Sequence, residues 1–175
     1  MDYPSELKRT ITLPGPLRLH IRPLCRGDRG SIVELDNHLS RRTRYLRFLS
    51  PLPAIPDYVL NRLVCLDYWR DLALVAAVES AQRPEIVALA SYGAIDQSAT
   101  VEVRPVVGDD WQRRGIGTIL AASVLEAAEA RGFDRFVAHL LSENDASRAL
   151  IRRVGCVVSS RTSRGVAEVA FVRKR

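Results

Sequence analysis

The segment from Thr100 to Thr118 constrains this chain most, because it runs a strand directly into a helix that starts on glycines. Thr100–Val107 (TVEVRPVV) reads as a strand, with Val101 and Val103 alternating with Glu102 and Arg104. After Gly108-Asp109-Asp110-Trp111 comes Gln112-Arg113-Arg114-Gly115-Ile116-Gly117. That motif opens a helix expected over 115–131, with an apolar stripe at Ile116, Ile119, Leu120, Val124, Ala127 and Ala128 and a terminal glycine at Gly132. The first turn of a helix carries unpaired N–H groups and the positive end of the helix dipole. Gly115 and Gly117 remove the side chains that would keep a pyrophosphate from those amides, and Arg113 and Arg114 add charge at the rim. The segment therefore reads as an anion cradle; the simpler alternative is that the glycines only permit a tight turn into the helix. It is not a P-loop, having no G-x-x-x-x-G-K-[ST], and a dinucleotide fingerprint would need a third glycine after the first strand of a βαβ unit.

Around this segment the periodicity predicts further elements. Leu17–Leu24 alternates as a half-buried strand ended by Pro23. Gly27-Asp28 and Gly30-Ser31 introduce a helix carrying Ile32, Val33, Leu35, Asp36 and Leu39 at helical spacing. Ser40–Phe48 reads as a second helix with Tyr45, Leu46, Phe48 and Leu49 inward, and Pro56–Leu66 as a third. Strands follow at Asp71–Glu79 and Glu85–Ile95, joined by a turn around Gln82-Arg83-Pro84. Beyond the cradle helix the reading is a strand at Phe133–Leu141, a helix at Asn144–Val154 capped by Asn144 and stopped by Gly155, and closing strands at Cys156–Ser159 and Val166–Val172. That order gives an α/β fold with a mixed sheet and not a regular βαβ alternation. The 175 residues suit one domain, 17–175, preceded by an N-terminal extension over 1–16.

Composition removes several classes of function. No stretch approaches the roughly 18 apolar residues of a membrane span. The N-terminus lacks the basic and apolar regions of a signal peptide, so no membrane partner and a cytoplasmic location are expected. The net charge of +6 comes almost wholly from arginines spread along the chain, the only lysines being Lys8 and Lys174. No helix-turn-helix, zinc-finger or aromatic RNA-binding motif accompanies it, so no nucleic-acid partner is expected. Cys25, Cys65 and Cys156 are scattered, and His20, His38 and His139 are isolated. Neither a disulfide framework nor a metal site follows, and His139, within FVAHLL, reads as a satisfied strand or core histidine.

Gln112-Arg113-Arg114-Gly115-Ile116-Gly117 fits the [Q/R]-x-x-G-x-[G/A] signature of the GNAT acetyltransferases. Arg44-Tyr45-Leu46-Arg47-Phe48-Leu49-Ser50-Pro51, Asp67-Tyr68 followed by Ala73-Leu74-Val75-Ala76, and Leu141-Ser142-Glu143-Asn144 resemble blocks of the bacterial Pat-type protein lysine acetyltransferases. The resemblance runs in order from about residue 17 to 158. It implies the GNAT fold, a mostly antiparallel mixed sheet flanked by helices, and acetyl-CoA as acyl donor. It implies Glu102 as catalytic base, since a lysine ammonium must lose a proton before attacking a thioester. Pro105, Val106 and Val107 would pair with the pantetheine arm through their main chain. Gln112, Arg113, Arg114, Gly115, Ile116, Gly117 and Thr118 would hold the phosphates, and Asn144 would contact the cofactor from the next helix. The partner implied is a protein bearing an acceptor lysine, an acyl-CoA synthetase being one candidate, with the enzyme a monomer or homodimer.

Departures from the family pattern keep alternatives open. Arg104 should share a strand face with Glu102, and a close guanidinium favours the ionised carboxylate and weakens it as a base. The helix after Asn144 has no tyrosine to protonate a leaving thiolate. Only about sixteen residues precede the domain in this sequence, so no built-in regulation can be inferred from it. Two other readings therefore stand: acetylation of a small amine, with Asp67, Asp71 and Glu102 forming an acidic pocket, and a non-catalytic acyl-CoA-binding module. Cys65 and Cys156 lack a histidine nearby in sequence that would make either a nucleophile.

Overall fold

The strand β3 (Asp71–Val78) is buried on both sides, and this sets the layering. Leu72, Leu74 and Ala76 join one apolar cluster, while Ala73, Val75 and Ala77 join a second on the opposite face. A computed structural model describes residues 2–15, 17–79, 84–96 and 98–174 and arranges them around this strand in one eight-stranded sheet. The other strands are β1 (Arg9–Leu13), β2 (Leu17–Pro23), β4 (Glu85–Ala94), β5 (Thr100–Val107), β6 (Arg135–Leu141), β7 (Gly155–Ser163) and β8 (Val166–Arg173). The helices among the described residues are α1 (Arg29–Asn37), α2 (Arg41–Phe48), α3 (Asp57–Val64), α4 (Ile116–Glu129) and α5 (Asp145–Val154). The first cluster packs α4 and α5 on the sheet and the second packs α1 and α3 on its other face.

The sheet order is β1-β2-β3-β4-β5-β6-β8-β7, antiparallel throughout except for the parallel pair β5–β6. The fold is thus α+β with a mixed, mostly antiparallel sheet flanked by helices, as the sequence implies. Most elements lie within a residue or two of expectation. Gly132 adopts φ +88° three residues beyond α4, with the Phe133 N–H donating to Ala128 O at 3.0 Å, so the helix ends before 131 but on the expected glycine. Gln82 and Arg83 of the expected turn lie outside the described residues.

Three differences have physical causes. The 1–16 segment contains a strand, since β1 pairs with β2 from Arg9↔Ile21 to Leu13↔Leu17 and buries Leu13. Tyr45, expected inside, is exposed, and Arg44 turns in instead because Asp36 receives it: Arg44 Nε donates to Oδ1 at 3.3 Å and both residues are buried. The closing strands pair with each other and β8 inserts between β6 and β7. The β7 strand is longer than expected, because extended pairing carries it through Ser160–Ser163.

Candidate active site

Strands β5 and β6 pair only from Thr100↔Arg135 to Glu102↔Val137. Beyond that, β5 follows β4 to Val107 and β6 follows β8 to Leu141, so the sheet opens into a wedge. Along Val103–Val107 the main chain is paired on the β4 side only, and Pro105, which has no N–H to leave unpaired, sits in this stretch. A cleft of about 350 Å³ occupies the apex of the wedge, lined by Glu102, Arg104, Pro105, His139, Asn144 and Arg47 among others, while Val106, Val107 and the residues 112–118 are not part of its lining. Leu46, Phe48 and Leu49 of the α2 segment and Tyr58 of α3 roof it.

One bank of the wedge is built from backbone. Past β5 the chain makes a short 3-10 turn at Asp109–Trp111 and reaches α4 with Arg113 at φ +60° and Gly115 at φ +84°. A left-handed Gly115 aims the first-turn amides of Ile116, Gly117 and Thr118 along the helix axis, where they have no intrahelical acceptor. Buried Ile116 anchors the helix start in the core. A Cβ on Gly117 would stand 3.3 Å from Val107 Cγ2, so the glycine lets α4 approach the end of β5. The Gln112 side-chain amide donates to Val107 O at 3.1 Å and ties loop to strand. Asp109 accepts from the Ser40 N–H at 2.9 Å, from Ser40 Oγ at 2.8 Å and from Thr43 Oγ1 at 2.8 Å, which docks the start of α2 onto the loop. Burial pushes the Asp109 carboxyl up, but these hydrogen bonds outweigh it and hold it below the usual aspartate range. Arg113 and Arg114 are exposed at the rim, Arg114 lying 5.0 Å from the Trp111 ring centroid.

The opposite bank is built from side chains. Asn144 is buried and caps α5 by accepting from the Ser147 N–H at 3.0 Å, while also lining the cleft. Glu102 projects from the apex with its side chain 18% exposed. Arg104 grips both its oxygens, Nε donating to Oε1 at 3.1 Å and a terminal nitrogen to Oε2, so the two share a face as the alternation requires. His139 Nδ1 lies 3.1 Å from the same Oε1, and its Nε2 lies 3.3 Å from Glu168 on β8. His139 therefore belongs to the site and not to the core. Its neighbours Ala138 and Leu140 are buried, and strand alternation turns it to the other face, a signal present in the sequence. Arg47 also lines the cleft and has no hydrogen bond or ion pair among the described residues. Desolvation pushes it down to about 10; the nearby Arg104 charge adds to this and Glu102 opposes it.

An acidic acceptor pocket does not form. The Asp67 carboxylate accepts the N–H groups of Trp69, Arg70 and Asp71 at 2.8, 2.8 and 3.0 Å and does not line the cleft. Asp71 does line it but is met by Arg62 at 3.2 Å. Cys65 and Cys156 are exposed and lie outside the cleft lining.

Comparison with known proteins agrees with this architecture. Over 137 residues the chain is 29% identical to Acetyltransferase PA5475 of Pseudomonas aeruginosa, covering 78% of this chain and 74% of that one. Over 142 residues it is 33% identical to Acetyltransferase Pat of Mycolicibacterium smegmatis, covering 79% of this chain but only 41% of that protein. In fold it matches the GNAT domain of S. lividans PAT with a TM-score of 0.86, at 22% identity and covering 98% of this chain and 99% of that one. It matches Salmonella typhimurium yncA, solved with its cofactor acetyl-CoA, with a TM-score of 0.66, at 20% identity and covering 87% and 91% of the two chains. Residues 18–157 match the family described as Acetyltransferase (GNAT) domain, and the chain belongs to that family.

Proposed function

We propose that this protein moves an acetyl group from acetyl-CoA to a lysine ε-amine of another protein in the cytoplasm, by direct attack with Glu102 as general base. The observation that carries this reading is the wedge: one partly buried carboxylate at its apex, a stretch of main chain unpaired on one side, and a helix start cleared by two glycines. An acyl-CoA fits such a groove. The edge of β5 that no strand pairs is open to an extended pantetheine arm along Pro105, Val106 and Val107, as it would be to an added strand, with Val107 O already accepting from Gln112. The amides of Ile116, Gly117 and Thr118 face an anion, Arg113 and Arg114 neutralise it from the rim, and Gln112 holds the loop in place. Asn144 closes the far side. Acetyl-CoA supplies an activated thioester carbonyl.

Glu102 accepts a proton from the acceptor ammonium, leaving a neutral amine to attack that carbonyl. The N–C bond forms, and the tetrahedral centre collapses as the C–S bond breaks with the electron pair on sulfur. The second proton of the attacking nitrogen passes to that sulfur, directly or through water, giving an amide and a free thiol. A thiolate leaves readily, so a helix α5 without tyrosine is compatible with turnover. Exposed Cys65 and Cys156 lie away from the cleft lining, which favours direct transfer over an acyl-enzyme. A lysine acceptor is supported by the likeness to Pat and by the cleft's own charge. Arg47, Arg62 and Arg104 face it against Glu102 and Asp71, a poor receptacle for a polyamine but passable for a single amine presented on a protein.

Thiol release from acetyl-CoA, measured with an acyl-CoA synthetase and with a polyamine panel as separate acceptors, tests the reading. Synthetase-dependent thiol release with acetyl-lysine detected on the synthetase is expected. Turnover confined to the polyamines would replace it with small-amine acetylation. One observation favours a different reading: the grip of Arg104 on Glu102 suits an acyl-CoA-binding module without turnover. That reading predicts tight acetyl-CoA binding and no thiol release with any acceptor.

A further inference from the structure

If Glu102 is the base, its surroundings raise a second question, which is where its proton goes. Arg104 occupies both carboxylate oxygens. A protonated carboxyl has less acceptor capacity than a carboxylate, so Glu102 cannot keep a proton without weakening one of those bonds. A base in this setting needs a prompt exit for what it accepts.

The sheet provides one. Glu102 pairs with Val137 at the last rung of β5–β6, which puts His139 one step further along on the same face. His139 then stands directly opposite Glu168 on β8, and Glu168 opposite Arg161 on β7. Alternation turns all of these away from the core face that holds Val101, Ala138, Leu140, Ala167 and Val169. The imidazole thus bridges two carboxylates, with Nδ1 at 3.1 Å from Glu102 and Nε2 at 3.3 Å from Glu168. A neutral imidazole accepts at one nitrogen while donating from the other, so it can take a proton in at one edge and release one at the other. Glu168 has a side chain 54% exposed, and the line from the cleft ends there in water.

We infer that His139 and Glu168 form the exit path for the acceptor's proton. This rests on Glu102 being the base. An ammonium N–H breaks as the Glu102 O–H forms; that proton passes to His139 Nδ1, the Nε2 proton passes to Glu168, and Glu168 gives it to water. Charge and proton count balance, and the partly exposed ring regains its starting tautomer by exchange with solvent. Arg104 and Arg47 bias the path outward, because both place positive charge on the cleft side of Glu102. His139 acts through Glu102 and is a positioning and relay residue.

The test compares wild type with His139→Gln, His139→Ala, Glu168→Gln and Glu102→Gln, following thiol release across pH together with acetyl-CoA affinity. Glutamine can hold Glu102 in place but cannot pass a proton, so it separates relay from support. The expected result for His139→Gln is a loss of kcat of about tenfold, below the roughly 100-fold of a proton carrier that meets the substrate itself, with acetyl-CoA affinity unchanged and an altered pH profile. His139→Ala should lose as much and regain turnover as free imidazole is added, and Glu168→Gln should lose a smaller factor. Wild-type kcat and pH profile in His139→Gln, or no imidazole rescue of His139→Ala, would overturn the inference. The two levels separate cleanly: collapse of Glu102→Gln alongside normal histidine variants removes only the exit path, whereas an active Glu102→Gln removes the base as well.

Discussion

The two banks of the wedge solve different problems with different materials. Along Val103–Val107 and around the start of α4 the working groups are main-chain amides, aimed by a left-handed Gly115 and by the close approach at Gly117. Across the apex the working groups are charged side chains drawn from β5, β6, β8 and α2. A backbone site is pre-aimed by the fold and costs little to keep. A cluster of side-chain charges must be desolvated and balanced, and Arg47 is a member with no hydrogen bond or ion pair among the described residues. The division suggests that the backbone bank governs donor binding and the side-chain bank governs turnover, and variants on each side can break that assignment.

The largest effect is expected at the apex. We predict that Glu102→Gln lowers kcat by about 100-fold or more while the KM for acetyl-CoA hardly moves, the signature of a lost general base. Loss of affinity with normal kcat would place Glu102 in binding. On the other bank, Gly117→Val should do the reverse. Its Cβ and methyl groups would press on Val107 and push α4 off the end of β5, raising the acetyl-CoA KM by about tenfold, or roughly 1.4 kcal/mol, with little change in kcat.

Third comes Arg47→Met. A guanidinium whose pKa is lower folded than unfolded penalises the folded state while it is charged, fully so below about pH 10, and the penalty fades as the pH rises through that value. The neutral variant should therefore melt a few degrees higher near pH 7, by about 1 kcal/mol, with the gap narrowing in strong alkali. A lower melting temperature would show that Arg47 has a stabilising partner. The smallest effect is expected for Asp109→Asn, which weakens the dock between the cradle loop and α2 by about 1 kcal/mol in urea unfolding. Asp109 binds its proton more weakly folded than unfolded, so its contribution is full above the ordinary aspartate pKa of about 3.9 and is lost as the pH falls below it. The variant and wild type should converge in stability in that acid range.

The same division decides what was legible in the sequence. The backbone bank is one contiguous stretch, so its strand, glycines and helix stripe could be read from residues 100–131 alone. Asn144 was legible because an N-cap is a local device, and Arg104 on the face of Glu102 because strand alternation is local too. The Glu102–His139 contact spans 37 residues and depends on β5 pairing with β6, and the His139–Glu168 contact spans 29 and depends on β8 inserting beside β6. No local pattern encodes that insertion. Asp67 was misplaced for a related reason: its carboxylate is consumed by the three amides of its own turn, which composition does not reveal. β1 was missed because RTITL is short and flanked by prolines and charges, and becomes a strand only by pairing with β2.

In the proposed function acetyl-CoA lies in the wedge between β5 and β6 with its phosphates at the start of α4. Amide shift changes across the whole chain as acetyl-CoA is titrated in test this most directly. Saturable changes are expected at Val103–Val107 and Gly115–Thr118, with smaller ones at Asn144 and His139. An absence of any saturable change, or changes confined to the exposed edge strand β7, would overturn it.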